Sequence, residues 1–426
     1  MRRLLCVLLC LFGVCIPAEA VPIDAASFPD PALREAVRVH DIGEFYDEET
    51  QEWVGANDGL LGANECARAN HITVWGAADL RGIEYFPNIE HLDCSYGSVS
   101  HLDLSRNPRI KLLLCFDTQL ETVNLSGYSA VVKAYFTGTP LKHLNVSGCS
   151  SLEELHCNDC KLEDLNISGC SSLKRLYCDS NNLTRLNAGG CGSLEMISCW
   201  NNKLSSASFS GCSSLKYLAL GINQLEELNL GGCRSLENFF CNNNKLKKLD
   251  LSGMNNLREV QCQENELETL KVANCHNLNS LWCWTNKLNS LDIDSCGILE
   301  VLYCDANQLA ALDASHSIIT DLHCNAQNIS YDKGLDITQD LKYEFDFSNL
   351  MPKDKLSGVL EDTIYVKTFS DGYANPVSFD VKTGKSLFDT SFKELYYTYN
   401  TRSVNDGVMY VTVKLCSLNI DILERG

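Results

Sequence analysis

The sequence predicts a solenoid of short parallel-strand repeats, with a small helical cap before it and an all-β domain after it. Three observations predict this. Cys94, Cys115, Phe136, Cys157, Cys178, Cys199, Leu220, Cys241, Cys262, Cys283 and Cys304 stand 21 positions apart, and Cys324 closes the series one residue early. A fixed period of that length marks a stack of identical supersecondary units. A second column, Asn181, Asn202, Asn223, Asn244, Asn265, Asn286 and Asn307, follows three residues behind the first. A third, Gly127, Gly148, Gly169, Gly190, Gly211, Gly232 and Gly253, keeps the same register.

Inside one repeat, Leu152, Leu155, Cys157 and Leu162 follow L-x-x-L-x-C-x-x-N-x-L, the pattern of a leucine-rich repeat. Leu155 and Cys157 alternate with His156, which makes this segment a short strand with one buried face. Leu165 and Ile167 alternate likewise on the return limb. One turn has too few apolar side chains to offset its chain entropy, so it folds only against its neighbours. Stacked strands pair in parallel at about 4.8 Å per turn, and the series implies twelve turns. The asparagines are expected to be buried, with amides bonding backbone groups that a tight turn leaves unpaired. The glycines are expected at positive φ, and Asn274 takes that place in one turn. Gly97, Thr118, Thr139 and Cys160 replace asparagine in the first four turns; cysteine is an accepted alternative there, and the other three are expected to loosen their turns.

Cysteine usage follows the same geometry. Ten of the 23 cysteines occupy the strand column. Seven more, Cys149, Cys170, Cys191, Cys212, Cys233, Cys275 and Cys296, form a second column that also admits Met254 and Tyr128. A place that accepts Met or Tyr wants an apolar group, not a bond partner, and buried cysteine behaves as a small hydrophobe. Two ladders of free thiols are therefore expected, although many cysteines in an exported chain usually mean disulfides.

Export is expected from residues 1–20: Arg2 and Arg3, an apolar run from Leu4 to Ile16, then Ala18-Glu19-Ala20 before a cleavage point. The run is too short to span a bilayer, and no later segment supplies a membrane span. The chain carries a net charge of −20. That acidity argues against nucleic acid and anionic membrane surfaces, and it suits a basic partner. Residues 21–86 read as the cap. Phe28 to Val37 forms an amphipathic helix with Pro31 in its first turn. Val54 to Glu65 lines up with a calcium loop at Asp58, Gly59 and Glu65, but Val54 and Ala56 offer no side-chain oxygen, so no metal is expected.

Phe28-Pro29-Asp30, the lead-in Gly82-Ile83-Glu84-Tyr85-Phe86 and the repeats together resemble secreted bacterial leucine-rich-repeat proteins akin to internalins. The resemblance covers roughly residues 27 to 334 and speaks to fold; such repeats serve many partners. The repeats proper run over 87–334. Residues 335–426 read as strands at Tyr343–Phe347, Thr363–Thr368, Val377–Val381, Glu394–Tyr399 and Val408–Leu415, separated by turns such as Asp371-Gly372 and Thr383-Gly384. Tyr365, Phe379, Tyr397, Tyr399, Tyr410 and Val413 are expected to fill a sandwich core. The resemblance implies that this domain is immunoglobulin-like.

If the cysteine column points inward, its sequence neighbours point out from the concave sheet. Just before the column come Tyr135, His156, Tyr177, Phe240, Trp282, Tyr303 and His323. Just after it come Phe116, Trp200 and Trp284, and Tyr217 lies three before Leu220. An exposed aromatic strip marks a binding surface, against the plainer reading that aromatics simply favour strands. The acidic residues Glu154, Asp159, Asp179, Glu259, Glu264, Asp305 and Asp321 share the surface. The expected function is non-enzymatic recognition of a protein or peptide on this face by a monomer, without cofactor. A glycan ligand and a structural spacer role are the alternatives. Cys157 and Cys160 form a C-x-x-C, but repeat geometry accounts for both, and no Ser-His-Asp set, phosphate loop or H-E-x-x-H is present.

Overall fold

The computed structural model describes residues 20–41, 45–47, 52–54, 59–331, 336–337, 342–368, 371–402 and 407–415. Residues 1–19 of the signal segment and residues 55–58 of the calcium-like loop lie outside them. The chain divides into two compact units: residues up to Tyr217 with Gly231–Cys233, and Leu218–Leu230 with everything from Arg234 on.

The first unit opens with the cap. Its helix Pro31–Asp41 starts at the proline, whose missing N–H costs nothing at a helix start. Asp30 caps it, Oδ1 accepting from the Ala32 and Leu33 amides, while Oδ2 reaches the Ala78 amide at 2.7 Å and ties the helix to the first strand's turn. A second helix, Ala63–Arg68, begins inside the calcium-like loop, and Glu65 Oε2 is engaged by the Gly62 amide at 2.6 Å. The repeat strands His91–Asp93, Leu112–Leu114, Lys133–Tyr135, Glu154–His156, Arg175–Tyr177 and Met196–Ser198 then pair in parallel without a register shift. His71–Thr73 precedes them, so the cap already supplies a strand of the sheet. In the second unit Asn238–Phe240, Glu259–Gln261, Ser280–Trp282, Val301–Tyr303 and Asp321–His323 continue the same pattern. Counting Tyr217–Ala219, twelve strands represent twelve turns.

The return limb, where Leu165 and Ile167 alternate, also forms strands. It carries short parallel strands at Thr122–Asn124, His143–Asn145 and Asp164–Asn166, at Arg185–Asn187 and Ser206–Ser208, and at Lys248–Asp250 and Thr269–Lys271.

The asparagine column does what its chemistry predicts. Asn286 Oδ1 accepts from the Leu267 amide of the preceding turn at 2.9 Å, and Nδ2 donates to the carbonyls of Cys262, Cys283 and Trp284 at 3.1, 3.0 and 3.4 Å. Gln327 takes over this role in the last turn, accepting from Leu309 N and donating to Cys304 O. The early substitutes keep part of the network. Thr139 Oγ1 donates to Phe136 O at 2.7 Å, and Cys160 Sγ reaches the same carbonyl at 3.1 Å. The glycine column adopts positive φ, as does Asn274 at 60°, with Gly232 the exception.

A further left-handed column was invisible to the composition. The residue two after each place of the strand column sits at φ between 49° and 60°, or at 79° for Gly138, whether it is Asp117, Asn201, Ile222 or Thr285. A β-branched residue there is strained. Ile222, 44% exposed, loses little packing when replaced. Ile222→Gly is expected to raise stability by about 1 kcal/mol, read as a higher urea midpoint; an unchanged or lower midpoint would contradict the strain.

All nineteen described cysteines are buried and unbonded. Burial pushes the thiols up, Cys149 to about 11 and Cys212 to about 12. Thiols held protonated in this way are poor nucleophiles and act as packing groups. Cys94 and Cys115 lie with sulfurs 3.4 Å apart.

The C-terminal region is all-β, with two sheets. One holds Gln327–Tyr331, Val408–Leu415, Phe392–Asn400, Val359–Thr368 and Tyr373–Ala374; the other holds Asp336–Ile337, Tyr343–Asp346, Lys385–Phe388 and Ser378–Asp380. Its core is aromatic, with Phe345, Phe347, Phe388, Phe392 and Tyr397 in ring contact. Tyr397, Tyr399 and Val413 are buried as expected, but Tyr365 and Tyr410 are 40% and 58% exposed. Strand parity explains the correction: Ile364, Val366, Val411 and Val413 take the inner face, so the tyrosines beside them must face out. The region is fastened to the last turns of the second unit by Tyr397 OH to Ala310 O at 2.8 Å, Ala314 N to Thr401 O at 2.8 Å, and Asp313.

Candidate functional site

The strands of the repeats place their central apolar residue and the cysteine-column residue two later inward, leaving the residue between them on the outer face. Leu281 and Cys283 are 0% exposed, whereas Trp282 and Trp284 are part-exposed. Tyr135, His156, Tyr177, Trp200, Tyr217, Phe240 and Tyr303 are likewise half-buried, and His323 is exposed. Every ring singled out from the sequence therefore lies on the outer side of a strand or in the turn after it.

Parallel pairing in perfect register converts this strip into stacks, because equivalent rings are held one strand spacing apart. In the first unit His156 lies between Tyr135 and Tyr177, with centroids 4.5 and 4.2 Å away and planes inclined by 26°. Phe116 extends the stack from Tyr135 at 5.7 Å, and Tyr96 from Phe116 at 6.4 Å. In the second unit Trp282 stacks on Tyr303 at 5.9 Å, and Tyr303 meets His323 at 4.3 Å. Ser198 and Gln261 interrupt the strip of rings.

Two residues of this surface were missed from the sequence. Trp75 and Tyr96 are 64% and 62% exposed. Trp75 Nε1 donates to Asp93 Oδ2 at 2.8 Å. The signal existed: Val74, buried, stands twenty residues before Cys94 and occupies the cysteine column's place in the cap.

The acidic residues divide by task. Glu154, 9% exposed, is held by His156 Nε2 at 2.8 Å, Arg175 at 2.9 Å and Lys133 at 3.5 Å. Desolvation would raise its pKa, but Arg175 and His156 outweigh it and hold the carboxyl down at about 2. Asp179 accepts from Ser198 Oγ and the Trp200 amide at 2.6 and 2.7 Å. Asp305 accepts from the Asn325 amide at 2.7 Å. Asp321 accepts from the Tyr303 hydroxyl at 2.7 Å, a bond that raises the tyrosine's pKa. Several of these carboxylates are thus structural as well as exposed. Cys157 and Cys160 are both buried in the repeat core, as packing demands. Away from the strand face, a groove of about 650 Å³ lies beside the second unit's return limb. Its Lys247, Lys248 and Lys271 face Glu226, Glu227 and Asp250, so its charges cancel.

No protein-family model matches the chain, and no curated protein sequence does. Solved structures do match. An internalin, InlF, from Listeria monocytogenes aligns over 68% of this chain and 86% of its own at 18% identity and a TM-score of 0.53. The LRIM1/APL1C complex aligns over 59% of this chain and 50% of its own at 18% identity and a TM-score of 0.51. The fold is a leucine-rich-repeat solenoid. InlJ from Listeria monocytogenes, whose functional domain includes a cysteine ladder, aligns over 93% of this chain and 99% of its own at 19% identity and a TM-score of 0.45. No helix among the described residues of this leucine-rich-repeat chain is long and apolar enough to cross a membrane.

Proposed function

We propose that this chain is an exported, non-enzymatic recognition protein that holds a protein or peptide partner against the outer face of its repeat strands. The observation that carries the reading is the inversion across each strand: sulfur and leucine inside, aromatic rings outside and stacked. Rings left part-exposed on a rigid sheet give contact area without loss of side-chain entropy, which is the character of binding hot spots. The basic and apolar groups a partner would offer match an acidic, aromatic surface.

The test uses the full chain. A surface-exposed protein captured by the immobilised chain is purified, and its affinity is measured by interferometry. Trp282→Ala with Trp284→Ala is expected to weaken it at least tenfold, since truncating a hot-spot ring costs about 2 kcal/mol or more, while circular dichroism stays unchanged. Unaltered affinity would place the interface elsewhere. Binding to arrayed glycans with none to protein would replace the reading by a lectin. Export is tested separately, by finding mature chain lacking residues 1–20 outside the cytoplasm.

A further inference from the structure

Two facts single out the second unit's strand face. The first is its charge. Position by position, the outward places of its five strands and the turns that follow carry Glu259, Glu264, Asp305 and Asp321, and no lysine or arginine. The first unit's face differs, with Lys133 and Arg175 bridged to Glu154. The second fact concerns unmet hydrogen bonds. Six buried side-chain polar atoms among the described residues take no partner, and three belong to this one patch: Asn242 Oδ1, Gln263 Oε1 and Trp282 Nε1. Asn242 and Gln263 are 5% and 7% exposed. They stand one residue after Cys241 and Cys262, the place that Trp284 takes after Cys283. The amides and the indole therefore occupy one row on the face, with the Trp282–Tyr303 stack beside it.

Elsewhere in the repeats the same position is occupied by groups that do cap the backbone. Asp179 binds the Trp200 amide and Asp305 the Asn325 amide. Asn242 turns its own Nδ2 to Asn243 Oδ1 at 2.8 Å instead, which leaves its oxygen idle. A buried acceptor without a donor is destabilising, so a ligand bringing donors recovers that loss. The last torsion of Asn and Gln is soft, so little energy opposes turning each oxygen toward a ligand.

We infer that the second unit's strand face binds an arginine-bearing segment of a protein partner, with the guanidinium lying on the Trp284 and Trp282 rings and donating to Asn242 and Gln263. This rests on the recognition role proposed above and names its chemistry. Guanidinium meets every demand of the patch at once. It is planar, stacks on aromatic faces, carries five donors and no acceptor, and sheds water more readily than ammonium. Glu259 and Glu264 supply the countercharge. The Trp282 N–H is left for a backbone carbonyl of the segment.

The test is fluorescence anisotropy of the full chain with three labelled peptides of one sequence, Gly-Ser-Xaa-Ser-Xaa-Gly, where Xaa is arginine, lysine or citrulline. The arginine peptide is expected to bind, the lysine peptide several-fold more weakly, and the citrulline peptide at least tenfold more weakly. Trp284→Ala should abolish binding. Glu259→Gln with Glu264→Gln, which keeps shape, should weaken it several-fold and flatten its salt dependence. Asn242→Leu tests the acceptor directly and should weaken arginine more than lysine, with thermal melting confirming that the variant folds. Equal binding of arginine and citrulline peptides would overturn the inference. So would Trp284-dependent binding of a neutral or acidic peptide in preference to arginine, and that result would leave the recognition role standing. If no peptide or protein binds in a Trp284-dependent way, both fall.

Discussion

Asn286→Leu is expected to cost about 3 kcal/mol or more, the largest loss of any single change outside the hydrophobic core. The amide holds four backbone groups: the Leu267 N–H and the carbonyls of Cys262, Cys283 and Trp284. Asn286 is 8% exposed, so water cannot replace it. Leucine matches its size but leaves those groups orphaned, at about 1–3 kcal/mol for each one that finds no substitute. Because each turn is stabilised only by its neighbours, the damage should be local. Hydrogen exchange is expected to quicken in the turns either side, around residues 262–307, while the cap stays protected. Uniform loss of protection along the whole chain, or a shift under 1 kcal/mol, would show that the ladder is not the hydrogen-bond spine it resembles. Asn286→Asp is a harsher companion, since it keeps the acceptor but sets a carboxylate oxygen against the three carbonyls the amide donated to.

Removing Asp313 should release the C-terminal domain. Its carboxylate, 12% exposed, binds Lys355 Nζ at 2.9 Å and Arg402 at 3.5 Å, and accepts from the Ser315 amide at 3.0 Å. Asp313 lies in a repeat turn while both cations lie in the domain beyond. Losing the carboxylate frees two cations that stay part-exposed, Lys355 at 28% and Arg402 at 41%, so solvent screens the loss and Asp313→Ala is expected to cost about 1 kcal/mol. Burial opposes the charged form, yet Ser315 and Lys355 hold the carboxyl well below the usual range. A depressed carboxylate pKa stabilises the fold above the unfolded value of about 3.9. That stability is lost as pH falls below it. The wild-type domain should therefore come loose in strong acid, and Asp313→Asn should abolish this part of the pH dependence. Limited proteolysis between the repeats and the domain reads both. Cleavage rates that ignore the substitution would mean the other contacts, such as Tyr397 to Ala310, suffice.

Much of the candidate surface was readable in advance for one reason. The repeat imposes a parity on every residue near the cysteine column, so burial of Cys283 settles the side of Trp282 and Trp284 together. No such anchor marks the inner face in the C-terminal domain. There strands are neither periodic nor anchored by a repeated residue, and Tyr365 and Tyr410 went to the wrong face. Trp75 escaped because Val74 holds the column where cysteine does elsewhere and the spacing is twenty, one short of the period.

The solenoid, its register, the inward ladders and the outward rings all follow from local spacing. One turn's environment is the next turn's copy, and the pattern repeats until it can be read only one way. Other features depend on groups far apart in sequence. The left-handed column beneath Ile222 and Thr285 comes from backbone closure, which residue type does not record. The stacks at His156 and Tyr303, the cations gathered on Glu154 and the grip of Lys355 on Asp313 need side chains brought together by turns or domains. So do the idle oxygens of Asn242 and Gln263. Whether a polar atom is satisfied depends on every neighbour at once, and that is decided only when the chain has closed around it.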